Sequence, residues 1–225
     1  MFLEEDEAVP ERINVGEVKK FLQKYRLSVF GHTAWYLPIG SPMKALRDAA
    51  VREATRYFEI FNELGVAFVT IHANWPCGMF SVKEGIRFQA ETLRELMRKA
   101  SEYNLKLMYE PTDALEDNIK NVSMILNKVP ELFLLIDIGH ANLFGRKPEQ
   151  FIKKFHEKIR HVHLHDNKRD LDLHLPMGCG NIDWEKTIRV LKQYYDGTIT
   201  LEIFSRDRDY VLLSKEKLRK LWNEM

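Results

Sequence analysis

Six apolar runs in this sequence end on a residue that can bind a metal ion. Residues 27–31 run into His32, 67–71 into His72, 105–109 into Glu110, 132–136 into Asp137, 159–162 into His163 and 198–201 into Glu202. Three carboxylates and one imidazole, Glu110, Asp137, His163 and Glu202, make a donor set suited to a divalent cation such as manganese, zinc, cobalt or magnesium. Any one acid after a strand is more often a helix cap or a surface charge. The recurrence at four strand ends outweighs that ordinary explanation.

Such residues act together only if the elements bring the strand ends to one place. The hydrophobic pattern predicts strands at 27–31, 67–72, 105–110, 132–137, 160–165 and 198–204, with a short apolar start at 2–4. Helices are expected between them, over 15–25, 43–64, 81–103, 113–126, 148–158, 183–195 and 212–222. Asn14 and Asp183 serve as caps, Ser81/Glu84 and Asp113/Glu116 have the form of capping boxes, and Pro148 opens a helix. Strand–helix alternation without a composition break predicts one domain, residues 1–225, built on a parallel α/β sheet. A closed barrel is favoured over a doubly wound open sheet. Ligand-type residues end nearly every strand, and no strand is followed by a glycine-rich phosphate turn.

Composition narrows the class. The chain has 225 residues, a net charge of +1 and no stretch approaching a membrane span. No overall field recruits a polyanion, so nucleic acid is disfavoured without being excluded. The acidic start at residues 1–10 does not read as a secretory signal. Cys77 and Cys179 have no pattern and are expected as free thiols, which points to the cytoplasm. A homo-oligomer stays open.

The remaining histidines need separate weighing, and for His32 and His72 structural and binding roles balance. His32 and His72 end strands, and His140 lies three residues past Asp137. Asp172 and His174, as Asp-x-His in a loop, can hand two ligands to one ion. His161, His163 and His165 share one face of a regular strand, with His161 deepest and the most structural in character. Trp35, Trp75 and Phe80 lie in loops at the expected mouth, as local packing or as a wall for a sugar ring or a flipped nucleotide. Lys168 and Arg169 are solvated cations or an anion contact.

These residues resemble the xylose isomerase-like barrel superfamily, which includes sugar isomerases and epimerases, inosose-processing enzymes and endonuclease IV. The resemblance is carried by His32-Thr-Ala, Thr70-Ile-His72, Tyr109-Glu-Pro111, Asp137-Ile-Gly-His140, His163-Leu-His-Asp166-Asn, Asp172-Leu-His174, Gly178-Cys-Gly180-Asn-Ile-Asp183 and Leu201-Glu202. It implies a TIM-type (β/α) barrel, incomplete at the N-terminus, with the first strand and helix missing and about seven strands left.

In the epimerase branch the resemblance implies one metal on Glu110, Asp137, His163 and Glu202. Glu110 and Glu202 would move a proton through an enediolate from opposite faces of a sugar or sugar phosphate. His32, His72 and His140 would contact substrate hydroxyls. In the endonuclease IV branch it implies three metals. His32, His72 and Glu110 would hold one, the four strand-end donors the second, and His140, Asp172 and His174 the third. A metal-retaining barrel that only binds a ligand or partner is the third alternative.

Overall fold

The computed structural model describes Met1 and residues 9–224. The chain divides into two compact units, Met1–Glu110 with Lys120–Phe133, and Pro111–Ile119 with Leu134–Met225. Strands and helices alternate throughout. The expected strand at 2–4 lies outside the described residues.

In the first unit α1 (Val15–Tyr25) starts where Asn14 accepts a hydrogen bond from Glu17 N. It ends at Arg26, whose backbone is left-handed, and Leu27 N turns back to Leu22 O. That helix-ending turn uses the residue expected to open a strand. β1 is therefore only Gly31–His32, not residues 27–31. His32 N donates to Met1 O along the β1 edge.

Helix α2 (Lys44–Glu63) buries Ala50, Ala54, Tyr57, Phe58 and Phe61, the helically spaced face read from the sequence. Next come β2 (Phe68–His72), α3 (Val82–Glu102) and β3 (Lys106–Glu110). The Ser81/Glu84 capping box closes both of its hydrogen bonds. β1, β2 and β3 pair in parallel, with His32 opposite Thr70 and His72 opposite Glu110. A parallel register of this kind carries the end residues to one edge of the sheet.

The Asp113/Glu116 expectation is corrected. α4 is Ile119–Lys128, so the helix starts beyond the Asp113/Glu116 pair instead of at it. Asp117 instead accepts from both the backbone N and the hydroxyl of Thr112, each at 2.8 Å. The short polar residues close a turn on themselves, the usual competitor of a helix start.

The second unit holds β4 (Phe133–Asp137, from Leu134 on), a 3₁₀ turn (His140–Gly145), α5 (Pro148–Phe155), β5 (Ile159–Leu164), α6 (Trp184–Tyr194), β6 (Thr198–Leu201) and α7 (Asp209–Glu224). Pro148 lies in the first turn of α5, and Asp183 caps α6 by accepting from Lys186 N. β6 ends at Leu201, three residues short of expectation, and α7 begins three residues early. β4, β5 and β6 are parallel, with Asp137 opposite His163 and Leu164 opposite Leu201. Leu134, Ile136, Val162, Leu164, Ile188 and Leu191 are buried and form the apolar centre of this unit.

The loop from 165 to 183 is irregular apart from an antiparallel bridge between Asp166 and Leu175, and it is held firmly. Asp166 is fully buried and accepts from Gly178 N at 2.7 Å, Trp184 Nε1 at 2.8 Å and Ile182 N at 3.3 Å. Asn167 donates its side-chain amide to Gly139 O at 2.8 Å, tying the loop to the turn after β4. Gly180 passes so close to Asn167 that a Cβ would lie 2.1 Å from its carbonyl oxygen. Among the described residues no helix is long and apolar enough to cross a membrane.

Candidate metal centre

Each unit gathers its own set of donors at strand ends. In the first unit His32 Nε2 lies 3.3 Å from Glu110 Oε2, and His72 Nε2 lies 3.1 Å from both that oxygen and His32 Nε2. His32 and Glu110 are buried. His32 Nδ1 sits 2.8 Å from Thr33 O. A carbonyl there keeps the ring proton on Nδ1, so the Nε2 lone pair faces the other donors. Two imidazole nitrogens and one carboxylate oxygen at these separations fit a divalent cation.

In the second unit β4, β5 and the end of β6 bring together Asp137, His163 and Glu202. His163 Nδ1 is 2.9 Å from Glu202 Oε2 and 4.0 Å from Asp137 Oδ2. Asp137 Oδ2 is buried without a hydrogen-bond partner, whereas Oδ1 accepts from His140 N at 3.0 Å. A buried carboxylate oxygen left unbonded costs about 1–3 kcal/mol, a cost that a bound cation removes. Burial alone would raise the Asp137 pKa. The surrounding His165, His140 and His163 outweigh it and hold the carboxyl well below the usual carboxylate range.

The same unit carries a further group, His140, His165, Asp172 and His174, whose donor atoms all lie within 4.8 Å of one another. Asp172 Oδ2 is 3.2 Å from His140 Nε2 and 3.0 Å from His174 Nε2. His140 Nδ1 is bonded to Pro111 O at 3.0 Å and His174 Nδ1 to Glu202 O at 2.9 Å. These carbonyls fix the tautomers as in the first unit. Burial opposes ionisation of Asp172, yet its histidine hydrogen bonds push its pKa down. Burial likewise opposes charge on His174, and Asp172 overcomes that and raises it.

The other expected residues divide. His161 is structural, with its two ring nitrogens each 2.8 Å from the hydroxyls of Thr198 and Thr200. Trp75 is half-buried against the start of α3, where a Cβ on Gly85 would lie 2.8 Å from its ring. Phe80 packs edge-on against Phe88. Trp35 is exposed and meets Tyr36 edge-on, and Lys168 and Arg169 are exposed. Arg169 Nε reaches Asn142 Oδ1 at 3.4 Å. Cys77 and Cys179 are free and exposed.

Two site residues escaped sequence reasoning. The two-residue spacing from His163 puts His165 on the same face without marking it as a donor. Phe204 stacks on the His174 ring, with centroids 4.0 Å apart and planes at 11°, while remaining 69% exposed. An aromatic three residues past a strand end carries no signal of its own.

A sequence model of the family described as xylose isomerase-like TIM barrel matches residues 3–222. An uncharacterized protein of Methanocaldococcus jannaschii is 28% identical over 217 residues, covering 84% of this chain and 69% of that protein. Fructoselysine 3-epimerase of Escherichia coli O157:H7 is 27% identical over 146 residues, 60% of this chain. That match spans 53% of the epimerase's own length. A crystal structure of a D-tagatose 3-epimerase-like protein superposes with a TM-score of 0.90 at 26% identity, covering 99% of this chain and 89% of the other.

Proposed function

This chain belongs to the xylose isomerase-like TIM barrel family, and on that premise we propose that it is a metal-dependent sugar isomerase or epimerase working through an enediolate. Its substrate is a small ketose or ketose phosphate, and its location is the cytoplasm. Glu110, Asp137, His163 and Glu202 hold the divalent ion. The observation that carries the reading is the pairing of His163 with Glu202 beside the unbonded buried oxygen of Asp137. Likeness to a D-tagatose 3-epimerase-like protein along almost the whole chain supports the substrate class.

When bound, the ion polarises the ketose carbonyl and steadies the negative charge that develops on it. The residues do the rest. One of Glu110 and Glu202 takes the proton from the carbon next to the carbonyl, and the other returns a proton to the opposite face, as inversion requires. Each must serve as acceptor and donor in turn, which suits a carboxylate beside a cation. His32 and His72 orient substrate hydroxyls, and Trp35 and Trp75 supply apolar surface. Lys168 and Arg169 answer an anionic substituent. His140, Asp172 and His174 contact the substrate or hold an additional metal.

A second reading, an abasic-site nuclease with three metals, is favoured by one observation. His32–His72–Glu110 and His140–Asp172–His174 each assemble as a donor group. The near-neutral net charge of +1 weighs against it. The deciding experiment offers the zinc-, manganese- or cobalt-loaded protein a panel of ketoses and an abasic duplex. Chromatographic conversion of a ketose, abolished by EDTA, supports the epimerase. Incision of the duplex without any ketose conversion overturns it.

A further inference from the structure

We infer that Gln89 is a positioning residue of the first unit. Its side-chain oxygen holds the loops that follow β1 and β2, residues 33–43 and 73–81, in one fixed arrangement. Those loops carry Trp35 and Trp75, so Gln89 sets the apolar surface offered to a substrate without touching the substrate itself.

Gln89 lies on α3 and is fully buried although it is polar. Its Oε1 accepts from the Tyr109 hydroxyl at 2.9 Å and from Asn74 N at 3.1 Å. A backbone N–H can only donate, so the atom facing Asn74 is the oxygen, and the orientation of the amide is settled. Asn74 passes the contact on, because its Oδ1 accepts from Gly40 N at 3.2 Å. One run of hydrogen bonds therefore leads from β3 through α3 to the loop after β2, and from there to the loop after β1.

Tyr109 immediately precedes Glu110, and Asn74 lies two residues past His72. Alternation along β3 sends the Tyr109 side chain towards α3 and Glu110 to the opposite face. At the far end of the run the two loops touch at Gly40. A Cβ there would lie 1.7 Å from Asn74 O and 3.1 Å from Gln89 Cγ, so this approach requires glycine. Ile39 beside it is fully buried, whereas Trp35 and Tyr36 are exposed. The loop is pinned at Gly40 and leaves its aromatic pair at the surface.

The nitrogen of the same amide has no comparable role. Nε2 is buried and has no hydrogen-bond partner. A buried donor left unbonded is costly, so the position works through its acceptor. Glutamic acid can supply the same acceptor, and burial favours its neutral form. The competing role is a simple tie between α3 and β3 through Tyr109. In that case Gly40, two hydrogen bonds away, would not respond to a change at residue 89.

The kinetic part of this inference rests on the proposed ketose reaction, so the test includes an arm that needs no turnover. Amide hydrogen exchange of the full chain in EDTA is compared for wild type, Gln89→Met and Gln89→Glu. In Gln89→Met the Asn74 and Gly40 amides should both exchange at least about tenfold faster. Thr33 N, which donates to Thr70 O, should keep its protection. Gln89→Glu should retain protection at both Asn74 and Gly40. Wild-type protection of Gly40 in Gln89→Met overturns the inference. An equal loss at Thr33 also overturns it, as a sign of general loosening. If Gln89→Met does not fold, Asn74→Ala decides. Gly40 should then lose protection while the amide at position 74 keeps it, and an unchanged Gly40 overturns the coupling. On a ketose that the wild type converts, Gln89→Met should raise KM about tenfold with kcat changed less than about threefold, and Gln89→Glu should restore KM. An unchanged KM in Gln89→Met overturns the positioning role. If the wild type converts no ketose, the proposed reaction fails and the exchange arm alone decides on Gln89.

Discussion

The two units gather their donors by different means. In the first, His32, His72 and Glu110 are the last residues of three successive parallel strands, so the ladder that pairs His72 with Glu110 also sets their spacing. The second unit has strand-end donors too, Asp137, His163 and Glu202, and adds a group set otherwise: His140 opens a 3₁₀ turn, His165 lies just past β5, and Asp172 and His174 sit in an irregular loop. That loop keeps its shape through the buried Asp166 and through Asn167. A sheet edge positions ligands through backbone pairing that folding requires anyway. A loop needs dedicated side-chain anchors, and a bound ion adds to them.

The comparison breaks most visibly in turnover. Glu110→Gln and Glu202→Gln should each lower kcat about 1,000-fold with the fold intact, since each loses a proton-transfer group. Asp172→Ala should lower kcat far less while removing most of the thermal stabilisation that zinc confers, read by activity and melting temperature together. An Asp172→Ala loss as deep as that of the glutamates would erase the distinction. Next in size is Asp166→Asn. The amide cannot accept from Trp184 Nε1, Gly178 N and Ile182 N as the carboxylate does. Denaturant unfolding should register a loss of about 3 kcal/mol.

A pH series sharpens the loop side. Asp172 is lowered from 3.8, so its contribution is complete above that value and lost as pH falls through the depressed pKa. His174 is raised from 6.5, so its contribution is complete below 6.5 and lost as pH rises through the raised pKa. In EDTA the melting temperature should therefore fall from pH 6 to pH 8. Zinc needs neutral imidazoles, so its stabilising increment should grow over the same interval. An increment that shrinks would contradict the histidine site. The smallest effect belongs to exposed Lys168, where alanine should change stability by less than about 0.5 kcal/mol in the same unfolding assay. Its effect on KM should appear only with a phosphorylated ketose.

The same contrast explains what the sequence revealed. Glu110, Asp137 and His163 were legible because each follows a largely buried apolar run, and Glu202 because it follows the half-buried run of β6. The helices of α2 and α3 were legible from apolar spacing and a capping box. The shortness of β1 was not, since Leu27 reads as strand but closes the turn after α1. The Asp113/Glu116 pattern misled because Thr112 and Asp117 took each other as partners. His165 was half-legible by spacing. Its approach to Asp172, 3.3 Å away, depends on the loop, a long-range placement that no local pattern encodes.

The most direct measurement is solvent deuterium exchange into carbon 3 of a ketose. The metal-loaded wild-type chain should incorporate one deuterium per turnover, with incorporation lost in Glu110→Gln, in Glu202→Gln and after metal removal. Unchanged incorporation in either glutamine variant, or its absence in the metal-loaded wild type across the ketose panel, would contradict proton transfer by the two glutamates.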